Sequence, residues 1–306
     1  MRATFIGLAG SLVTLALTQR LDKPPLETGL DYLQKGLLEH LGPVKSSYKK
    51  WTPGWIPSDC KTMTVNANLS VAHVETFSVQ YEDCPNDPWL LCRHIDSPDP
   101  LENLIDLFGR VPVRARQWVR HIVNLPDPTN FTSAYNWAGN IAMFESINRD
   151  LTLFIHETGH SLDLLGAYPD NPLSTSKHWH AQYAKDSHVP DPYSQSNIYE
   201  DLAQNTVVAA YDLNVPGGFG VVEPKWRDVL HQFDTIEVEQ RKAGDLLVRG
   251  GVCTKRLNNS EVVRVGGSSR VMARGSGGPP NVALSDAVGV IERVEFDTSK
   301  DCRLGS

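Results

Sequence analysis

Residues 151–166 read LTLFIHETGHSLDLLG, and this stretch decides what the chain can be. Leu151, Phe154, Ile155, Leu162 and Leu165 recur at helical spacing, which predicts a helix with an apolar side set into a core. Asn148 or Asp150 is placed to cap its start, and Gly166 to stop it. On such a helix His156 and His160, four residues apart, lie one turn apart on the same face. Two imidazoles at that spacing can both reach one Zn2+ at about 2.0–2.1 Å. Glu157 between them leans toward a zinc-bound water and is the expected general base of a hydrolysis.

A catalytic zinc needs a third protein ligand and one open position. The pattern that continues into a Gly three residues and a His or Asp six residues after the second His fails, because the chain has Asp163 and Gly166 there. A later helix is the other source. Glu200 and Asp201 open the otherwise apolar stretch IYEDLAQNTVVAAYD, where one carboxylate can bind metal and the other can complement the helix dipole. Glu200 is taken as the ligand, with Asp201 as runner-up. Asp163 has two equal readings: it orients a liganding His through the second ring nitrogen, or it holds a local polar contact. His178, His180 and His188, between the two metal segments, read as surface loop residues.

The motif HETGH with Asp163 three residues on, and Tyr193 seven residues before Glu200, resembles the catalytic domain of anthrax lethal factor and its relatives over roughly residues 135–215. The resemblance implies a gluzincin-type peptidase in which Tyr193 donates a hydrogen bond to the tetrahedral intermediate, as a phenol beside zinc can. It also implies an acidic residue one turn after the ligand, where this chain has Gln204, so the surroundings of Glu200 depart from the pattern. The whole chain also resembles secreted fungal conidiation-specific proteins.

The rest of the sequence bounds this reading. The net charge is −7, with no long Lys/Arg run, which argues against nucleic acid and anionic membranes as partners. Residues 1–18 (MRATFIGLAGSLVTLALT) carry one cation and a short apolar run ending in small residues, the pattern of a secretory signal peptide, and no later segment is long and apolar enough to span a bilayer. An exported chain is expected to oxidise its five cysteines; Cys84 with Cys92, flanking a Pro-containing loop, and Cys253 with Cys302 are the plausible pairs, leaving Cys60. Asn68, Asn130 and Asn258 open glycosylation sequons.

Elsewhere a helical patch is expected over 30–41, a strand over 71–81, a helix in LENLIDLFGR and a short strand in NIAMFES, which could pair with an extended substrate at a sheet edge or be a plain core strand. Residues 111–124 mix both signatures, and 167–197, with four prolines, read mostly as loop. Helices are expected over 199–212 and 225–242. From 246 the chain turns to short Val-rich strands and a Gly/Ser/Pro stretch. The expected organisation is a signal peptide (1–18), an α+β zincin-like catalytic domain (19–245) and a β-rich extension (246–306). The expected function is secreted, zinc-dependent hydrolysis of peptide or protein substrates. The alternative is a non-catalytic secreted or spore-surface binding protein that keeps the fold. Nothing in the sequence sets the oligomeric state.

Overall fold

The computed structural model describes residues 19–126, 133–144, 150–266 and 284–291. Residues 1–18, Asn130 and Cys302 lie outside them. The chain is mixed α/β. Its strands are β1 (Ser46–Trp51), β2 (Trp55–Pro57), β3 (Val74–Tyr81), β4 (Cys84–His94), β5 (His121–Leu125), β6 (Ser133–Trp137), β7 (Asn140–Phe144), β8 (Val262–Arg264) and β9 (Leu284–Ile291). Its α-helices are α1 (Gln34–His40), α2 (Ser58–Asn66), α3 (Leu101–Arg110), α4 (Val113–Arg116), α5 (Leu151–Leu164), α6 (Lys177–Tyr183), α7 (Ile198–Asn214) and α8 (Leu230–Lys242).

Seven strands form one sheet in the order β6-β7-β5-β4-β3-β1-β9, while β2 and β8 pair separately. β4, β5 and β7 run parallel and the other pairs antiparallel. Alternation along the central strands builds two cores. Leu91, Ile122, Ile141 and Met143 face the main core with the helices, among them Phe154 and Leu202. Cys92, Val123 and Ala142, one residue out of phase, face a smaller core with Ile56, Cys60 and Met63. The central β5 is buried along its whole length. The signature of 111–124 is mixed because the stretch holds the short helix α4 and then the start of β5, whose His121 and Asn124 are buried with its apolar residues.

The expected disulfides are corrected. Cys84 and Cys92 are not paired: both lie on β4, and eight residues of extended chain hold them about 26 Å apart. No disulfide spans that distance. The bonds are Cys60–Cys92, which ties α2 to the sheet, and Cys84–Cys253, which anchors the segment after α8 to the start of β4, so Cys60 is not left over and Cys253 is not paired with Cys302. Of the two readings of NIAMFES the plain core strand holds over Asn140–Phe144: β7 sits between β5 and β6, and among the described residues β6 is the edge strand on that side. The segment read as loop, 167–197, also contains α6.

The strands expected after 246 exist, but they join the body. β8 pairs with β2 and β9 extends the main sheet beside β1, while Leu246 and Leu247 enter the main core. Among the described residues no helix is long and apolar enough to cross a membrane. Asn68 and Asn258 are exposed, as glycan acceptors must be.

Candidate metal centre

Two helices carry the site. α5 begins after Asp150, whose side chain makes no capping bond. Gln34 supplies the cap instead: its Oε1 accepts from the backbone N–H of Leu151 at 2.9 Å and of Thr152 at 3.3 Å. α7 is capped by Asn197, whose Oδ1 accepts from the N–H of Tyr199 and Glu200 at 2.9 and 3.1 Å. The helices cross at Gly159. A Cβ there would stand 3.0 Å from Thr206 Oγ1 and 3.3 Å from the Ala203 Cα of α7. Glycine therefore lets the backbones approach until Glu200 reaches the two imidazoles. Gly159→Ala is expected to force the helices apart and lower stability by about 1–3 kcal/mol, read as a shifted denaturant midpoint.

His156, His160 and Glu200 converge. Glu200 Oε2 lies 3.1 Å from His156 Nε2 and 3.1 Å from His160 Nε2, and the two ring nitrogens are 3.2 Å apart. A tetrahedral ion with bonds of about 2.0–2.1 Å sets its ligand atoms about 3.3–3.4 Å apart, close to this triangle. Three lone-pair atoms so near one another fit one shared cation, and two imidazoles with one carboxylate suit Zn2+. Burial opposes ionisation of Glu200, but the two imidazoles beside its Oε2 outweigh it and hold the carboxyl at about 2, so the group is anionic.

The Gln204 departure has a structural account. Gln204 Nε2 donates to Asp191 Oδ2 at 2.6 Å, which turns its Oε1 toward His156 Nδ1 at 3.0 Å. The amide orientation therefore places the proton of His156 on Nδ1 and leaves Nε2 bare for a metal. The acidic partner expected one turn after Glu200 is supplied through the amide by Asp191. Asp191 also accepts from Ser194 N and Oγ, both at 2.9 Å, and so shapes the turn that carries Tyr193. The sequence reading missed this relay, and the nearness of Asp191 to Tyr193 was its only trace.

Asp163 takes the second of its two readings: its carboxylate accepts from Ser174 N at 2.9 Å and Ser174 Oγ at 2.6 Å, and no bond to a liganding imidazole is formed. Asp201 is not part of the triangle of His156, His160 and Glu200; it is fully buried, with Oδ1 accepting from Asn205 Nδ2 at 3.2 Å. His178 approaches Glu239, and His188 approaches Asp228. His178 and His180 lie on α6 and not in a loop, and none of the three histidines lines the cavity over the site.

That cavity, about 470 Å³, is bordered by His156, Glu157, Tyr193 and Gln204. Glu157 is 2% exposed and its Oε2 has no hydrogen-bond partner. Burial pushes its carboxyl above the usual range, against the pull of the two imidazoles. Tyr193 is half exposed, its ring centroid 5.6 Å from that of His156. Burial, reinforced by Glu200, Glu157 and Asp191, pushes its phenol up to about 12, so it keeps its proton at neutral pH. The edge strand β6 is fastened beside α5 by Asn136, whose Nδ2 donates to Glu157 O at 2.8 Å and Ser161 Oγ at 2.7 Å.

Residues 27–251 match the family of conidiation-specific protein Con-13. Conidiation-specific protein 13 of Neurospora crassa is 32% identical over 192 residues, which cover 61% of this chain and 56% of that relative. The match thus spans little more than half of the relative's length. No solved structure matches the chain.

Proposed function

The chain belongs to the Con-13 family, and we propose that it is a secreted zinc-dependent peptidase with a zincin-like centre of the gluzincin type. The observation that carries this reading is the triangle of His156, His160 and Glu200 beside a buried carboxylate, Glu157, that has no partner of its own. A purely structural metal would need neither an open cavity nor an adjacent base.

A zinc ion held by His156, His160 and Glu200 would supply acidity to a water and polarise the substrate carbonyl. The chain's residues do the rest. Glu157 takes one proton from the attacking water as its oxygen bonds to the carbonyl carbon, then delivers that proton to the amine nitrogen as the C–N bond breaks. Tyr193, still protonated, donates its O–H to the developing oxyanion. β6 offers an edge for an extended peptide, and its exposed Tyr135 and Trp137 offer apolar contact to alternate side chains. The apolar residues 1–18 and the two disulfides support export.

The second reading, a non-catalytic secreted or spore-surface binding protein, draws on the description of the relative as conidiation-specific. It gives no reason for Glu157. Purified protein is expected to carry one zinc per chain, to cleave casein or a peptide library, to lose that activity on dialysis against phenanthroline and to regain it with zinc. Undiminished cleavage after complete zinc removal, or no cleavage by the zinc-loaded protein, would overturn the peptidase reading.

A further inference from the structure

The cavity over the candidate metal centre runs along the first two turns of α5 to Asp150 and Asp31. A second cavity of about 340 Å³ shares Gly29 and Asp31 with it and adds Glu27 and Glu223. No Lys or Arg borders either one among the described residues. Asp191 is bonded to Gln204 and Ser194, and Glu223 accepts from the Lys225 N–H. The side-chain carboxylates of Asp150 and Asp31, by contrast, have no hydrogen bond or ion pair among the described residues, although both backbone carbonyls accept helical bonds. Asp150 stands at the N-cap position of α5, yet Gln34 caps that helix in its place, which leaves the Asp150 carboxylate to the cavity. The same cavity receives the 2%-exposed, unpartnered Glu157, which calls for a donor at that end, while the half-buried Asp150 and exposed Asp31 leave two carboxylates open to an occupant at the other.

We infer that Asp150 and Asp31 form a specificity subsite that takes the side chain of a lysine or arginine next to the scissile bond. The inference rests on the peptidase reading and names its substrate class. Six residues of helix separate Asp150 from His156, about 9 Å along the axis. A four-carbon ammonium or a guanidinium standing beside the reacting carbonyl spans such a gap, and short or neutral side chains leave the carboxylates without a partner. Burial, and then Asp31, push the Asp150 carboxyl up to about 6, the mark of an acid whose environment contains no cation of its own. The acidic approach over Glu27 and Glu223 adds attraction for basic chains.

The test uses N-acetylated fluorogenic peptides identical except for Arg, Lys, Gln or Glu beside the cleaved bond, so that the side chain is the only added charge. Arg and Lys peptides are expected to exceed the Gln peptide in kcat/KM by about tenfold or more, with Glu last. Asp150→Asn and Asp31→Asn should each shrink the Arg/Gln ratio, and Asp150→Lys should invert it toward Glu. Asp31 is exposed, so its variant reports even where a substitution at Asp150 impairs folding. Binding of the same peptides to the Glu157→Gln protein, read by fluorescence anisotropy, gives the charge preference without turnover. An Arg/Gln ratio near one, or a ratio that both Asn variants leave unmoved, overturns the subsite. Failure of the wild type to cleave any peptide overturns the peptidase reading instead, and the binding arm still decides the subsite.

Discussion

Glu157→Gln is expected to lower kcat for peptide hydrolysis about a thousandfold, in the range that a positioned general base contributes, while zinc content stays at one per chain. The amide keeps the shape of the side chain and cannot accept a proton. The carboxylate is not needed to hold the ion, because His156, His160 and Glu200 already meet within 3.2 Å of one another. The substitution also carries a stability signature. In the zinc-free protein burial raises the folded-state pKa of Glu157, so its ionised form opposes folding, and the penalty fades as pH falls from that raised value to the ordinary carboxylate range. Gln removes it, so the zinc-free variant should unfold at neutral pH no earlier than the zinc-free wild type. Lower activity with equal or greater stability is the pattern of a residue kept for chemistry. A variant that cleaves peptides at the wild-type rate would leave Glu157 without a role and the peptidase reading without its base.

How much was legible in the sequence followed the range of the interactions concerned. The α5 helix and its two histidines are local: apolar spacing, a stop at Gly166 and four-residue periodicity lie within sixteen residues. Glu200 was readable because a charge opening an apolar helix is conspicuous. The cap of α5 was not, since the residue that provides it, Gln34, lies more than a hundred positions away. The Gln204–Asp191 relay joins a helix to a turn, and neither residue announces the other. Cys84 and Cys92 misled because Pro85 and Pro88 suggested a loop. The prolines lie instead where the β3–β4 register shifts, a place where a strand tolerates them. Residues 111–124 resisted because Arg116, which composition assigns to the surface, is fully buried, paired with Asp83 and stacked 4.3 Å from the centroid of Tyr81.

Glu200→Ala is expected to weaken zinc binding by at least about a hundredfold, since loss of a ligand should exceed the 10–100-fold cost of losing a supporting partner. Asp201→Asn should retain the metal. The two acids are adjacent, and the helix turns about 100° between them, so they face different neighbours. Glu200 looks across to α5, where the close approach at Gly159 brings the imidazoles within reach. Asp201 turns into the protein toward Asn205 and is fully buried. Burial raises its carboxyl well above the ordinary range, although Lys23 pulls the other way. A group that favours its neutral form is a poor metal ligand, and Asn should replace it with little loss of stability. Zinc retained in full by Glu200→Ala, together with zinc lost from Asp201→Asn, would reverse the assignment. The first turn of α7 would then have to be rotated by one residue relative to the geometry described, which would also remove Gln204 from His156 Nδ1. Both acids can therefore be tested at once by chelator competition, because a single rotation of one helix cannot supply a carboxylate from each position.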